Sequence, residues 1–343
     1  MDRLARLPAL LLTLALFAAG CASADDPASA GAVDTTSRAS TTTVAPTTTI
    51  APATTTARAA RPHPFTTAQM TFVDDTRPTP ESPGGPEIPS RTLETWLYLP
   101  DTPEPAPLVI FSHGMAGHPR KFEDLHAAWA EAGYAVAAPV FPLSNDTAEG
   151  SFTNLHDVPN QAGDVAFVLD QLLALSADAT TELAGRFDPH HLAAGGLSAG
   201  GATTFEAAVN DVGRDPRLVA AIIMAGARFT SADNESFVAP GGQPVYILHG
   251  DSDPLVSLEV AQESYDLLDA PKYFTTLIGG GHAGPFEDDG EGVEPKIPGT
   301  EQLIHTSTIA FLDRYVLGIA EAADELIAAA ADSELATFVH DAG

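Results

Sequence analysis

The chain of 343 residues holds a single cysteine, Cys21. No internal disulfide can form, so the fold must rest on its apolar core, and thiolate zinc sites and Cys-His catalysis are excluded. Basic residues are also scarce: 16 Lys and Arg stand against 46 Asp and Glu, a formal net charge of -30. Phosphate backbones would be repelled by such a surface, which excludes nucleic acid as a general partner. No apolar run reaches the roughly 20 residues that a membrane-spanning helix requires. What remains, 44% hydrophobic residues with 28 Gly and 28 Pro, is globular usage and unlike a collagen, a coiled coil or a fully disordered chain.

Residues 1–20 read as an export signal: Arg3 and Arg6 supply a positive start, residues 7–19 are almost wholly apolar, and Ala18, Ala19 and Gly20 are small. The stretch Phe17-Ala18-Ala19-Gly20-Cys21 resembles the lipobox of bacterial lipoproteins. That resemblance implies lipid attachment at Cys21 and an extracytoplasmic protein anchored to the cell membrane; ordinary secretion is the alternative. Residues 21–66 are rich in Ala, Ser, Thr and Pro, with no Phe, Tyr or Trp between residues 22 and 64. Such a segment buries too little apolar surface to offset its ordering entropy and is expected to be a disordered tether, spanning roughly 30 to 40 Å.

Beyond residue 66 the texture alternates between strand-like and helix-like segments. Residues 68–74 and 91–99 alternate apolar with polar, which predicts an antiparallel pair joined through the Pro/Gly-rich segment 78–89. Short apolar runs at 107–112, 134–139, 191–197, 218–225, 244–249 and 273–279 predict strands buried on both faces. Helical patterns separate them at 120–132, 158–175, 199–209, 258–268 and 301–316. The alternation predicts an α/β domain over residues 67–318, with a mainly parallel central sheet and helices on both faces. Residues 319–343 form an acidic C-terminal helix or tail, on which Leu326, Ile327, Ala330, Leu335 and Phe338 would make one apolar stripe.

The most informative segment is Gly196-Leu197-Ser198-Ala199-Gly200, a G-x-S-x-G pentapeptide between a buried strand and a helix of small residues. In that context the serine sits on a tight strand-to-helix turn with its hydroxyl exposed above the sheet. A glycine-rich turn with an incidental serine would read the same. A serine nucleophile needs a base to take its proton and a carboxylate to orient that base. Both follow late strands: Asp251 and Asp253 after the strand ending at His249, and His282 after Gly279-Gly280-Gly281. The order Ser, Asp, His is that of α/β-hydrolases.

On these residues, positions 67–316 resemble the α/β-hydrolase superfamily. The segment from His249 to Val256 is similar to its H-G-x-x-D-x-x-V pattern, which implies Asp253 as the acid, with Asp251 second, beside Ser198 and His282 as nucleophile and base. His113-Gly114-Met115-Ala116-Gly117 resembles its H-G-x-x-G loop, which implies an oxyanion hole made by the N–H groups of Met115 and Ala199. Phe111 to Met115 followed by Gly196 to Gly200 is similar to the branch of platelet-activating-factor acetylhydrolases, predicted dienelactone hydrolases and cutinase-like polyester hydrolases. Dienelactone hydrolases proper carry a cysteine where Ser198 stands. Bacterial polyester hydrolases usually carry Met where Ala199 stands and a tryptophan in the cleft, whereas Trp96 and Trp129 fall in an early strand and the first helix.

The loop 141–145 leaves its strand on the same edge as the catalytic turns, so Phe141 and Leu143 are candidate pocket residues, with Met224 and Phe286 beside them; each also reads as a core hydrophobe. The acidic run at residues 287–291 offers oxygen ligands for a hard cation but reads better as a solvated loop. Only 17 residues, 226–242, follow the strand after which this fold usually inserts a lid, which predicts a short or absent one. The resulting expectation is a serine esterase acting on a small-molecule or polymeric ester, short-chain or acetyl, through an acyl-enzyme. It would need no cofactor or metal and would meet the membrane through its N-terminal lipid. A hydrolase-fold binding lipoprotein without catalysis, or an amidase or peptidase on the same scaffold, are the alternatives. The lipobox resemblance predicts that Cys21→Ser moves the protein from the membrane fraction to the soluble one; an intact mass showing a free thiol in native protein would refute the anchor.

Overall fold

A computed structural model describes residues 61–210, 213–228, 243–288, 294–331 and 334–343. The signal, Cys21 and the tether up to residue 60 lie outside the described residues, as does most of the segment expected to form a short lid. Among the described residues there are nine strands, β1 (Phe65–Asp74), β2 (Arg91–Pro100), β3 (Ala106–Ser112), β4 (Ala135–Val140), β5 (Phe187–Leu197), β6 (Leu218–Met224), β7 (Val245–Gly250), β8 (Lys272–Leu277) and β9 (Ala336–Asp341). They form one sheet in the order β1-β2-β4-β3-β5-β6-β7-β8-β9. The six from β4 to β8 run parallel, while β1, β2 and β9 join antiparallel at the two edges.

The helices are α1 (Glu123–Glu131), α2 (Val158–Ala177), α3 (Ala199–Thr204, continued by a π-helical turn Phe205–Val209), α4 (Leu258–Asp266), α5 (Thr300–Tyr315) and α6 (Ala322–Ala330). Because successive strand side chains point to opposite faces, each apolar strand feeds two cores. Leu108 and Ile110 of β3 join Val165, Leu169 and Phe205 on one face; Val109 and Phe111 join Trp129, Phe311 and Leu326 on the other. All these side chains are 2% exposed or less, as a parallel sheet covered on both sides requires.

Two boundaries differ from the sequence expectation. Residues 61–66, read as the end of the tether, belong to the domain. Arg61 pairs with buried Asp313 at 2.6 Å, the His63 N–H donates to the Glu131 carbonyl, and β1 begins at Phe65. At the other end the apolar stripe does not stay on one helix. Leu326 and Ala330 are buried on α6, but Phe338 lies on β9, where it stacks on Tyr273 with ring centroids 6.1 Å apart. An edge strand satisfies its backbone only by pairing, and β9 does so along the whole of β8.

One buried ion network ties the edge of the sheet to the segment that follows β4. Arg91 on β2 is fully buried and donates to Asp164 on α2 at 2.6 and 2.7 Å, and to Asp157 just before α2 at 2.9 and 3.0 Å. Arg77 adds a second cation to Asp164 at 2.8 Å. Breaking such a pair from one side leaves an uncompensated buried charge. Arg91→Met should therefore lower the unfolding free energy by about 3 to 5 kcal/mol, with Asp157 the group left unpaired; a urea midpoint unchanged from the parent would contradict this role.

Candidate active site

Strand β5 ends at Leu197, and Ser198 turns the chain directly into α3 with φ 58° and ψ -118°. A non-glycine residue at positive φ is strained and persists only where its surroundings over-determine it. The Ser198 N–H donates to the Met224 carbonyl at 2.8 Å, and its carbonyl accepts from Ala202 at 3.0 Å. Gly200 is required because a Cβ there would collide with the Ser112 carbonyl, and one at Gly196 would collide with the Gly200 carbonyl.

Strands β7 and β8 deliver the partners. His282, 7% exposed, follows β8 and lies with Nε2 2.7 Å from Ser198 Oγ and Nδ1 2.7 Å from Asp253 Oδ2. A carboxylate at Nδ1 holds the proton there and leaves Nε2 to accept the serine hydroxyl. Asp253 follows β7, its side chain fully buried, and its Oδ1 accepts from the N–H groups of Leu255 at 2.8 Å and Val256 at 2.9 Å. Burial alone would raise the Asp253 carboxyl, but the hydrogen bond and charge from His282 and these two N–H groups outweigh it and hold the group below the usual aspartate range. Asp251, the second candidate for the acid, instead accepts from Gly279 N–H at 2.7 Å and the Ser252 hydroxyl at 2.9 Å.

The turn after β3 closes the other side. A Cβ on Gly114 would stand 3.1 Å from Ser198 Cβ, so glycine lets the turn approach the serine. Gly117 N–H donates to the Gly114 carbonyl at 3.0 Å and Ala116 N–H to Ser151 Oγ at 2.7 Å. The N–H groups of Met115 and Ala199 have no hydrogen-bond acceptor among the described residues. The Met115 side chain packs against the cluster of Val158, Ala199 and Ala202.

His113, the first residue of the H-G-x-x-G segment, organises this turn through its side chain. Its Nε2 accepts from Phe141 N–H at 3.1 Å and its Nδ1–H donates to the Gly114 carbonyl at 2.8 Å. Burial pushes its pKa down to about 4, so it works as a neutral donor and acceptor. Gln161 is a second such residue, donating to Ser144 Oγ and accepting from Thr203 of α3.

All four candidate pocket residues are buried. Phe141 and Met224 are fully buried, and Leu143 and Phe286 are 7% and 5% exposed. Apolar side chains at these positions gain more from the core than from a solvent-facing wall. What they offer the site is backbone: the Phe141 N–H to His113, the Leu143 carbonyl to Asn154, the Met224 carbonyl to Ser198 N–H, and Phe286 N–H to the Ala283 carbonyl. The exposed apolar side chains nearby are Phe152, adjacent to Ser151, and Leu255, adjacent to the Asp253 loop, at 71% and 72%.

In the acidic run, Glu287 pairs with Lys121 at 3.3 Å and Asp288 accepts from Asp124 N–H at the start of α1 at 2.9 Å, while residues 289–291 lie outside the described residues. Burial raises Asp288 to about 6. Among the described residues no group of His, Cys, Asp and Glu is arranged to hold a metal ion, and no helix is long and apolar enough to cross a membrane.

The sequence model of the dienelactone hydrolase family matches residues 93–272. Among solved structures, a ferulic acid esterase from Streptomyces cinnamoneus superposes with a TM-score of 0.59 at 22% identity, covering 77% of this chain and 93% of that one. At that identity the likeness speaks to the fold. No curated protein matches the chain.

The different contacts of the two aspartates predict different losses. Asp253→Asn, which disturbs the imidazole tautomer, should lower kcat by about 10³- to 10⁴-fold, and Asp251→Asn by less than about tenfold. Ester hydrolysis assays with the opposite ranking would move the acid to Asp251.

Proposed function

We propose, from the premise that this chain belongs to the dienelactone hydrolase family and is a carboxylic ester hydrolase, that it cleaves short-chain esters through an acyl-enzyme formed on Ser198. The observation that carries this reading is the continuous Ser198–His282–Asp253 hydrogen-bond chain, 2.7 Å at each link, beside two backbone N–H groups that lack acceptors among the described residues. Ser198 Oγ attacks the ester carbonyl while its proton passes to His282 Nε2. The carbonyl oxygen becomes an oxyanion that accepts from Met115 and Ala199, each such donor being worth about 2.7 to 4 kcal/mol in the barrier. His282 then returns the proton to the leaving alcohol, and water repeats the sequence on the acyl-enzyme. Asp253, ionised, keeps the imidazole oriented and stabilises its cation.

Two features support a short acyl group. The side chains best placed in sequence to build a deep apolar pocket, Phe141 and Met224, are locked in the core. Two cavities of about 560 and 620 Å³ lie along β1 and β2, lined by residues such as Phe65, Trp96, Met70 and Leu183, and one of about 500 Å³ lies between residues 79–92 and the loop of Pro142 and Leu143; none of the three includes a triad residue. Export and anchoring through Cys21 complete the proposal, placing the hydrolase outside the cytoplasm at the membrane surface.

Ser198→Ala should abolish both turnover and labelling by a fluorophosphonate, and the parent should hydrolyse p-nitrophenyl acetate and butyrate faster than the palmitate. Retained turnover in that variant would overturn the nucleophile, and a sharp rate increase when tributyrin passes its solubility limit would overturn the short-chain assignment.

A further inference from the structure

The base of the triad sits on a loop, residues 279–284, that contains four glycines and only one apolar side chain, Ala283. Such a segment has little side-chain packing to fix it, and glycine carries the largest backbone entropy. The His282 ring is held by Asp253 through one nitrogen, so its placement depends on what holds the backbone. Behind it, Gly280 N–H donates to the Leu277 carbonyl and the Gly280 carbonyl accepts from Ser252. Ahead of it, the Ala283 carbonyl accepts from Phe286 and Glu287. The N–H groups of Ala283 and Gly284 converge on one oxygen, Oε2 of Glu294, at 2.8 and 3.0 Å.

The glycines are shaped to that carboxylate. A Cβ at Gly281 would lie 2.5 Å from Glu294 Oε2 and 2.8 Å from its Cδ; one at Gly284 would lie 2.9 Å from Glu294 Cβ and 3.1 Å from its carbonyl oxygen. The half-buried Glu294 side chain therefore lies flat against the residue before His282 and bonds the two residues after it. Successive N–H groups around an anion form a nest, and hydrogen bonds to a charged acceptor are roughly twice as strong as neutral ones.

We infer that Glu294 is a positioning residue for His282, a carboxylate clamp that fixes the loop so that Nε2 meets Ser198 Oγ. The inference rests on the catalytic reading above. A displacement of about 1 Å in such a site costs on the order of 10²-fold in rate, so the loss should appear in kcat and leave ester binding unchanged.

The test uses the full chain, p-nitrophenyl butyrate and the variants Glu294→Ala, Glu294→Gln, Glu294→Asp and Gly281→Ala. Glu294→Ala should lower kcat by about 10- to 100-fold with KM within about twofold, and should speed amide exchange at residues 283 and 284. Glu294→Gln, which keeps an acceptor oxygen at the same reach, should recover most of kcat; Glu294→Asp, one methylene short, should not. Gly281→Ala pushes on the same carboxylate, so its loss and that of Glu294→Ala should be strongly non-additive in the double variant. Where Glu294→Ala does not fold, the Gln and Asp variants decide: an active Asp variant with an impaired Gln variant overturns the clamp. Unchanged kcat in a folded Glu294→Ala, or losses that multiply with Gly281→Ala, overturns it too, even with Ser198→Ala inactive. Turnover retained by Ser198→Ala would instead remove the catalytic reading and this inference with it.

Discussion

The carbonyl of Ser112 at the end of β3 and the backbone of Gly200 on α3 approach so closely that no side chain fits between them. This contact governs the molecule's working edge. It lies where β3 and β5 pair at their carboxyl ends, beside Ser198 in its strained positive-φ conformation at the N-terminus of α3. β3 is also where the chain reverses its direction of travel across the sheet, with β4 on one side and β5 on the other. Loops from both sides diverge there, leaving the crevice in which open α/β sheets hold their ligands.

Around that contact the scaffold is braced by buried polar groups, Arg91 and His113 foremost. Arg91 reaches from β2 to Asp157, the residue before Val158, and Val158 packs against Met115. Through this chain the ion network at the sheet edge bears on the turn that carries one of the two unengaged N–H groups. His113, held neutral by burial, ties the same turn to the segment after β4. Polar networks of this kind are costly when half-satisfied and rigidifying when complete.

The electrostatics of the site differ from those of the surface. A chain with a formal charge of -30 still keeps Asp253 ionised in a buried position, because two backbone N–H groups and the imidazole favour the anion locally. The family match over residues 93–272 includes Ser198 and Asp253, whereas His282, which joins them by hydrogen bonds, lies beyond the matched stretch.

Much of this was legible in the amino-acid sequence because it is written in local pattern. Among the nine described strands, short apolar runs located six and apolar/polar alternation two more, each to within a few residues, and the glycine spacing around Ser198 and the strand-end positions of Asp253 and His282 singled out the residues that the fold brings together. What sequence could not decide depends on approaches between distant segments. The segment Ala336–Asp341 reads as part of a C-terminal helix or tail, and pairing with β8 makes it the strand β9. Phe141 and Met224 read equally well as pocket or core until the sheet closed over them. Glu294 reads as one more surface acid after an acidic run; its bonds to Ala283 and Gly284 exist only because the chain folds back onto a loop ten residues earlier. Local periodicity reports which face of an element is buried, whereas the partner of a buried or backbone-bound polar group is chosen by tertiary geometry alone.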